Sequence, residues 1–275
     1  MALEKFGAPR LTVAIPLFHA APWHDTLVHN IQRIPGDALI LLSDETSSDD
    51  TAQLVANRFT DDPRIRVRLC NGDPGWRAHC NALIQACGTE FFSLLPQDDL
   101  IAPGYYEKLV AALDSHPEAG LAFGTLIANG GQFSDPVQLS SPPFKLGLLE
   151  TWREAIELER HWNLGIPFRG VIRRTVLKPI SPTPGDQFAD QVWVFGMALA
   201  AYLLEVPDAV YFKIYHAGNT HSSWKYPQPL ERKAQLTAEI RNVLGVQESA
   251  ERAISLLDQK YREIYLRKWR ALGIC

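Results

Sequence analysis

Over roughly the first 120 residues, apolar side chains fall in short unbroken runs, and these runs alternate with segments of helical spacing. Leu11-Thr12-Val13-Ala14-Ile15-Pro16 is a β-branched strand stopped by proline. A helix is predicted from Trp23 or His24 to Arg33. Ala38 to Leu42 forms a second buried strand, closed by the polar cluster Ser43 to Thr51, which supplies a turn and then an N-cap for a helix through Leu54, Val55 and Phe59. Ile65 to Leu69 is a third strand, followed by the loop Asn71 to Gly75 and a helix bearing Asn81. Phe91 to Leu95, opened by Gly88 and closed by Pro96, is a fourth. Pro103 then suits the first turn of a helix to Ser115. Strand and helix alternating over short loops predict a doubly wound, mostly parallel α/β sheet.

The middle of the chain is less regular. Leu121 to Ile127, Phe168 to Ile172 and Val210 to Tyr215 are predicted strands, Leu149 to Arg160 and Asp190 to Tyr202 predicted helices. The Gly/Pro/Ser-rich stretch Asn129 to Pro143 is expected to be a mobile loop, and Pro179 to Gln187 a second loop. From Leu230 the pattern is helical. Ile254, Leu257, Tyr261, Ile264, Tyr265, Trp269 and Leu272 make one apolar stripe, with Arg262, Arg267, Lys268 and Arg270 opposite. Packing on its own domain is the leading reading of that stripe. A subunit interface comes second, and a peripheral contact with an anionic membrane third.

Composition narrows the classes. A 46% hydrophobic and 21% charged chain is that of a globular protein able to bury a sizeable core. A net charge of −4 argues against a nucleic-acid partner. No run is long enough to span a bilayer, and the N-terminal residues lack a signal peptide's apolar core. Cys70, Cys80, Cys87 and Cys275 show no CxxC spacing. These features predict a cytoplasmic protein, with a peripheral position at the inner membrane face as the variant that the C-terminal stripe would allow.

The most informative stretch is Pro96-Gln97-Asp98-Asp99. Adjacent carboxylates repel unless a cation or hydrogen bonds compensate them, and open α/β sheets hold ligands at the carboxyl ends of their strands. The turn is therefore a candidate for a divalent cation and a phosphate-bearing ligand. Its bland alternative is a solvated loop.

A strand ending in proline, an acidic turn rich in Ser and Thr, an Asn-bearing helix and a strand ending in paired Asp follow one another. This ordered set resembles glycosyltransferase family 2, the inverting enzymes of GT-A fold. LTVAIP, ILLSDETSSDDT, HCNALIQACGTEFFSLLPQDD, RGVIRR and ADQVW carry the resemblance. It implies a GT-A domain over 1–225, with a nucleotide-binding half at 1–125, an acceptor half at 126–225, and a C-terminal helical extension at 226–275. It implies transfer of a sugar from a nucleotide-sugar donor, a UDP-sugar first among them, to a hydroxyl of a glycan, lipid or cell-surface polysaccharide precursor.

The resemblance also implies roles for particular residues. Pro16 would border the base. Asp44 would bind base or ribose, with Glu45 where the family usually has a second Asp and Thr46 where it usually has Gly. Asn81 lies in the helix closing over the nucleotide. Asp98 and Asp99 would serve ribose and a Mg2+ or Mn2+ ion, although Pro96 stands where a further Asp is usual. His216 would join the metal or pyrophosphate, with His221 a weaker candidate. Asp190 would be the general base, its alternative being a helix N-terminal carboxylate favoured by the dipole, and Asp186 the fallback. Arg169, Arg173 and Arg174 could meet phosphate, but arginines at a strand edge are more often salt-bridge partners. Trp162 and Trp224 could stack on sugars, though core packing is the commoner role.

The leading rivals are a nucleotidyltransferase, a dinucleotide-binding oxidoreductase and a non-catalytic GT-A-like module. The first two need a Gly-rich loop after the first strand, where this chain has Leu17 to Pro22.

Overall fold

In the computed structural model, strands that the sequence marks as buried on both faces assemble side by side in parallel. The structure describes residues 8–59, 61–70, 75–131, 133–139, 141, 165–182, 186 and 189–219. Strand β1 (Leu11–Leu17) runs between β2 (Leu39–Asp44) and β4 (Phe91–Leu94), and β3 (Ile65–Leu69) borders β2. Helices α1 (His24–Ile31), α2 (Thr51–Phe59), α3 (Gly75–Ala86) and α4 (Tyr105–Ser115) link the strands or follow them. Each buries an i, i+3, i+4 face: α4 turns Tyr105, Tyr106, Leu109 and Leu113 inward.

Two local expectations change. Pro16 does not stop β1, which continues to Leu17. The carbonyl of Ala14 accepts from Leu95 N–H, on the β4 side of the strand. Pro16 shares that orientation, and β4 has ended by then, so its missing N–H deprives no ladder. Pro103 is not in the first turn of α4 either. Gly104 precedes the helix at φ +75, a left-handed turn that only glycine adopts freely.

The second half of the sheet is mixed. β8 (Val171–Arg173) pairs antiparallel with β4 and with β6 (Ala119–Gly130). β9 (Tyr202–Tyr215) runs parallel to β6, and the short β5 (Leu100–Ile101) pairs antiparallel with β9. The full order is β3-β2-β1-β4-β8-β6-β9-β5, with β7 (Phe133–Leu139) on β6. The expected mobile loop Asn129 to Pro143 is thus mostly a β-hairpin, because Phe133 packs its ring 5.2 Å from that of Tyr215 and anchors the return strand. The expected strand Phe168 to Ile172 is a 3-10 turn (Ile166–Arg169) leading into β8, since Gly170 and Pro167 favour a bend there. Helix α5 (Ala189–Ala200) closes this half. The expected helix Leu149 to Arg160 and the C-terminal stripe lie outside the described residues. No described helix is long and apolar enough to cross a membrane.

β9 is longer than its sequence pattern suggested, and it is broken by a bulge. Its register with β6 jumps from Gly124↔Val206 to Thr125↔Val210, so that Pro207, Asp208 and Ala209 loop out. Thr125 Oγ1 donates to Pro207 O at 2.8 Å and fixes the bulge. Gly124 lets the two backbones close: a Cβ there would lie 2.0 Å from Ala209 O and 2.9 Å from the Tyr105 ring. Gly124→Ala should therefore destabilise the fold by about 3 kcal/mol, because backbone cannot yield as a side-chain tip would. Chemical denaturation checks this, and a loss under about 1 kcal/mol would mean that the bulge is free to move.

Candidate active site

The carboxyl ends of β2, β1 and β4 bring the two acidic turns to one edge. β1 lies between them, so they stand about two strand spacings, or roughly 10 Å, apart. Asp44 is buried at the end of β2, where its Oδ1 accepts from Ser47 N–H (3.1 Å) and Ser47 Oγ (2.5 Å). Thr46, in the position where glycine was expected, takes φ +57. The turn thus keeps the shape glycine would give it, and Thr46 Oγ1 donates to Cys70 O at 2.5 Å, offsetting part of the strain.

The neighbours Asp98 and Asp99 point to different environments. Asp99 is wholly buried. Its Oδ1 accepts from Lys213 Nζ at 3.0 Å and from Ile214 N–H at 3.1 Å. Its Oδ2 accepts from the Tyr211 hydroxyl at 2.8 Å and faces Arg169 Nε at 3.4 Å. Burial and the Asp99 charge together push the Tyr211 phenol well above its usual pKa, so it stays a donor. With both oxygens taken by protein donors, Asp99 is a structural counter-ion, and the metal or ribose role expected of it does not suit this geometry.

Asp98 keeps one edge toward solvent. Its Oδ2 meets His216 Nε2 at 2.9 Å and Asn219 Nδ2 at 2.8 Å, with Lys213 Nζ at 3.8 Å. Gly218 N–H donates to His216 Nδ1 at 3.1 Å, and Asn219 Nδ2 also lies 2.8 Å from His216 Nε2. The indole of Trp23 stacks at a tilt, 4.6 Å from the His216 ring. The structure therefore brings Asp98 and His216 together across 118 residues of sequence. Among the described residues no group of three or more His, Cys, Asp or Glu is placed to hold a metal.

Several other expected residues are engaged within the protein. Glu45 turns inward, where His79 Nδ1 lies 3.2 Å from its Oε2 and His79 Nε2 lies 2.8 Å from Ser43 Oγ. Burial, with Arg68 nearby, lowers the His79 pKa despite the opposing pull of Asp44, so the neutral ring donates to Glu45 and accepts from Ser43. Asn81 clasps the backbone of Ile180, donating to its carbonyl at 2.9 Å and accepting from its N–H at 2.6 Å. It joins α3 to the segment before α5 and is turned away from a nucleotide role. Pro16 remains partly exposed at the end of β1. Beside it, Gln97 exchanges two 2.8 Å hydrogen bonds with the backbone of Phe18 and leaves that ring 48% exposed at the edge of the site.

On the other side, Asp190 sits in the first turn of α5, partly buried. Burial raises its pKa above the usual carboxylate range, while Arg169, backbone N–H groups and Lys213 pull it back. The fallback Asp186 is tied to Arg77 Nε at 2.5 Å. Arg169 is not a solvated strand-edge arginine: it joins the Asp99 cluster, where burial would lower its pKa but Asp99 and its neighbours raise it above the ordinary value. Arg173 caps the C-terminus of α4 through Leu113 O at 2.6 Å. Trp162, His221 and Trp224 lie outside the described residues.

Sequence reasoning missed Lys213, Tyr211, Asn219 and Asn30. Asn30 is fully buried and bridges α1 to the acidic turn, donating to Asp99 O (2.8 Å) and accepting from Ile101 N–H (3.1 Å). A lone Lys alternating with tyrosines along β9, and a lone Asn on the apolar face of α1, were the available signals.

A half-parallel sheet flanked by helices, with acidic turns at the carboxyl edge and a histidine returning to the second of them, defines the GT-A glycosyltransferase fold. The similar solved structures have that fold. Residues 1–349 of TarS from S. aureus in complex with UDP-GlcNAc superpose with a TM-score of 0.66 at 18% identity, covering 88% of this chain and 69% of that one. A mannosyltransferase from Pyrobaculum calidifontis in complex with GDP-Man and Mn2+ superposes with a TM-score of 0.54 at 18% identity, covering 98% and 81%. Residues 12–178 match glycosyl transferase family 2, and the chain belongs to that family. It is 32% identical over 104 residues to a GalNAc(5)-diNAcBac-PP-undecaprenol beta-1,3-glucosyltransferase of Campylobacter jejuni, covering 37% of this chain and 34% of that protein. An uncharacterized protein of Sinorhizobium fredii is 25% identical over 122 residues, 42% of this chain and 13% of its own length. The aligned part thus spans about a third or less of these curated relatives.

The buried His79 has a consequence for stability. Its folded pKa is depressed, so below about 6.5 the unfolded chain takes up a proton that the folded chain refuses. Stability should fall as pH drops through that point, and His79→Gln should flatten the fall. Melting temperatures from neutral to mildly acidic pH check this, and identical slopes in both proteins would assign acid sensitivity elsewhere.

Proposed function

We propose that this protein is an inverting glycosyltransferase that moves a sugar from a nucleotide-sugar donor, a UDP-sugar first among them, to a hydroxyl of a glycan, lipid or polysaccharide precursor. The observation that carries this reading is the Asp98–His216 pair at the carboxyl edge of β4, in a chain of glycosyl transferase family 2. The Asp44 turn, Pro16 and the exposed Phe18 ring would border the nucleoside. Relatives in complex with UDP-GlcNAc and GDP-Man support a nucleotide-sugar as donor class.

The donor set fits a divalent ion such as Mg2+ or Mn2+. Asp98 offers a carboxylate oxygen and His216 Nε2 a nitrogen at the same place, and such ions complete their shell with phosphate and water oxygens. A bound ion would stabilise the charge of the departing diphosphate as a Lewis acid.

Asp190 is the general base of this reading. Its carboxylate takes the proton of the acceptor hydroxyl while that oxygen attacks the anomeric carbon. The bond from that carbon to the phosphate oxygen breaks on the opposite face, and its electron pair leaves with the nucleoside diphosphate. A carboxylate made more basic by burial is better matched to this task, and the Arg169 charge pulls its pKa back in part.

Calorimetric titration of UDP, GDP and dTDP, with and without Mn2+, tests the reading. One nucleotide should bind, and Asp98→Asn should abolish the gain in affinity that Mn2+ gives. Failure of all three to bind the folded protein would favour a non-catalytic GT-A-like module. Asp190→Asn should lower kcat by about a hundredfold or more and leave nucleotide affinity intact. The wild-type rate should decline as pH falls through the Asp190 pKa, on a limb above the ordinary carboxylate value of 3.8. An unchanged kcat would remove Asp190 from the chemistry.

A further inference from the structure

Two cations converge on Asp99, and both also act on neighbouring carboxylates, Lys213 on Asp98 and the pair on Asp190. Arg169 and Lys213 both approach one fully buried carboxylate, which Tyr211 and the Ile214 N–H already satisfy in part. Burying a lysine is unfavourable unless its charge is used, and Asp99 is already faced by Arg169 at 3.4 Å. Lys213 Nζ lies 3.0 Å from Asp99 Oδ1 but also 3.8 Å from Asp98 Oδ2, so its charge reaches the outer carboxylate. Its side chain is 10% exposed and Asp98's is 14%, against 0% for Asp99. The ammonium thus stands between the sealed cluster and the open edge. Of its three N–H groups, one is used in a hydrogen bond among the described residues. Pro96 adds no charge on the other side of Asp98.

We propose that Lys213 is a binding residue for the donor's diphosphate, a permanent cation beside the Asp98–His216 pair that lets nucleotide binding survive removal of divalent metal. The inference rests on the nucleotide-sugar reading above. A fixed ammonium is a compact point charge suited to phosphate oxygens, and in a partly desolvated cleft it is only weakly screened. It needs no concentration of free metal to be present.

Calorimetry with UDP, and GDP and dTDP in parallel, on wild type, Lys213→Met and Lys213→Arg, each in EDTA and in MnCl2, tests this. Wild-type affinity in EDTA should stay within about tenfold of that in MnCl2. Lys213→Met should lose about tenfold or more in EDTA and less in MnCl2, while Lys213→Arg stays near wild type. Asp99 keeps Arg169, Tyr211 and Ile214 in the Met variant, and a thermal melt verifies its fold. Should that variant not fold, the wild-type comparison still decides. Wild-type binding that needs Mn2+, or a folded Lys213→Met that binds as wild type does in EDTA, overturns the role of Lys213 and leaves the nucleotide reading standing. No binding of any nucleotide in either condition overturns both.

Discussion

A carboxylate sealed from water must be surrounded by donors, and in this protein that requirement organises the carboxyl edge of the sheet. Asp99 draws Arg169 from the 3-10 turn before β8, and Tyr211, Lys213 and the Ile214 N–H from β9. Asn30 of α1 holds its backbone carbonyl. Segments from both halves of the chain therefore converge on one side chain. Removing it would leave buried cations without their counter-ion, which is more damaging than the loss of any one hydrogen bond.

That anchoring explains how adjacent aspartates come to do different things. Asp99 is immobilised by the fold, and Asp98, one peptide further out, is left at the open edge with His216 and Asn219. The same β9 that satisfies Asp99 ends one residue before His216, so the strand that locks the buried carboxylate also delivers the histidine to its neighbour. Alternation along β9 puts Tyr211 and Lys213 on one face, two residues apart, as pleating requires. The bulge at Pro207 to Ala209 lies upstream and sets the register in which they arrive.

Electrostatics link the two sides of the proposed reaction centre. Arg169 and Lys213 both influence Asp190 as well as contacting Asp99. One cluster of cations thus tempers the basicity of the residue proposed to take the proton and stands near the place proposed for the leaving diphosphate. Asp44 sits apart, beyond β1, in a turn whose shape is held by Ser47, Thr46 and the buried Ser43–His79–Glu45 chain.

The sequence by itself determined the order of strands and helices in the first half, because runs buried on both faces and amphipathic helices leave periodic traces. It also marked Asp44, Asp98, Asp190 and His216 as residues at element ends, where polar side chains interrupt apolar runs. It could not apportion Asp98 and Asp99. Adjacent identical residues differ only in what lies around them, and the partners of Asp99 stand more than a hundred positions away on β9. For the same reason Asn81 and Glu45 read as ligand-facing until the packing of α3 turned one toward Ile180 and the other toward His79. The bulge in β9, the hairpin at β7 and the gathering of Arg169 with Lys213 were decided by tertiary structure alone, because each is a contact between segments whose local patterns carry no trace of one another.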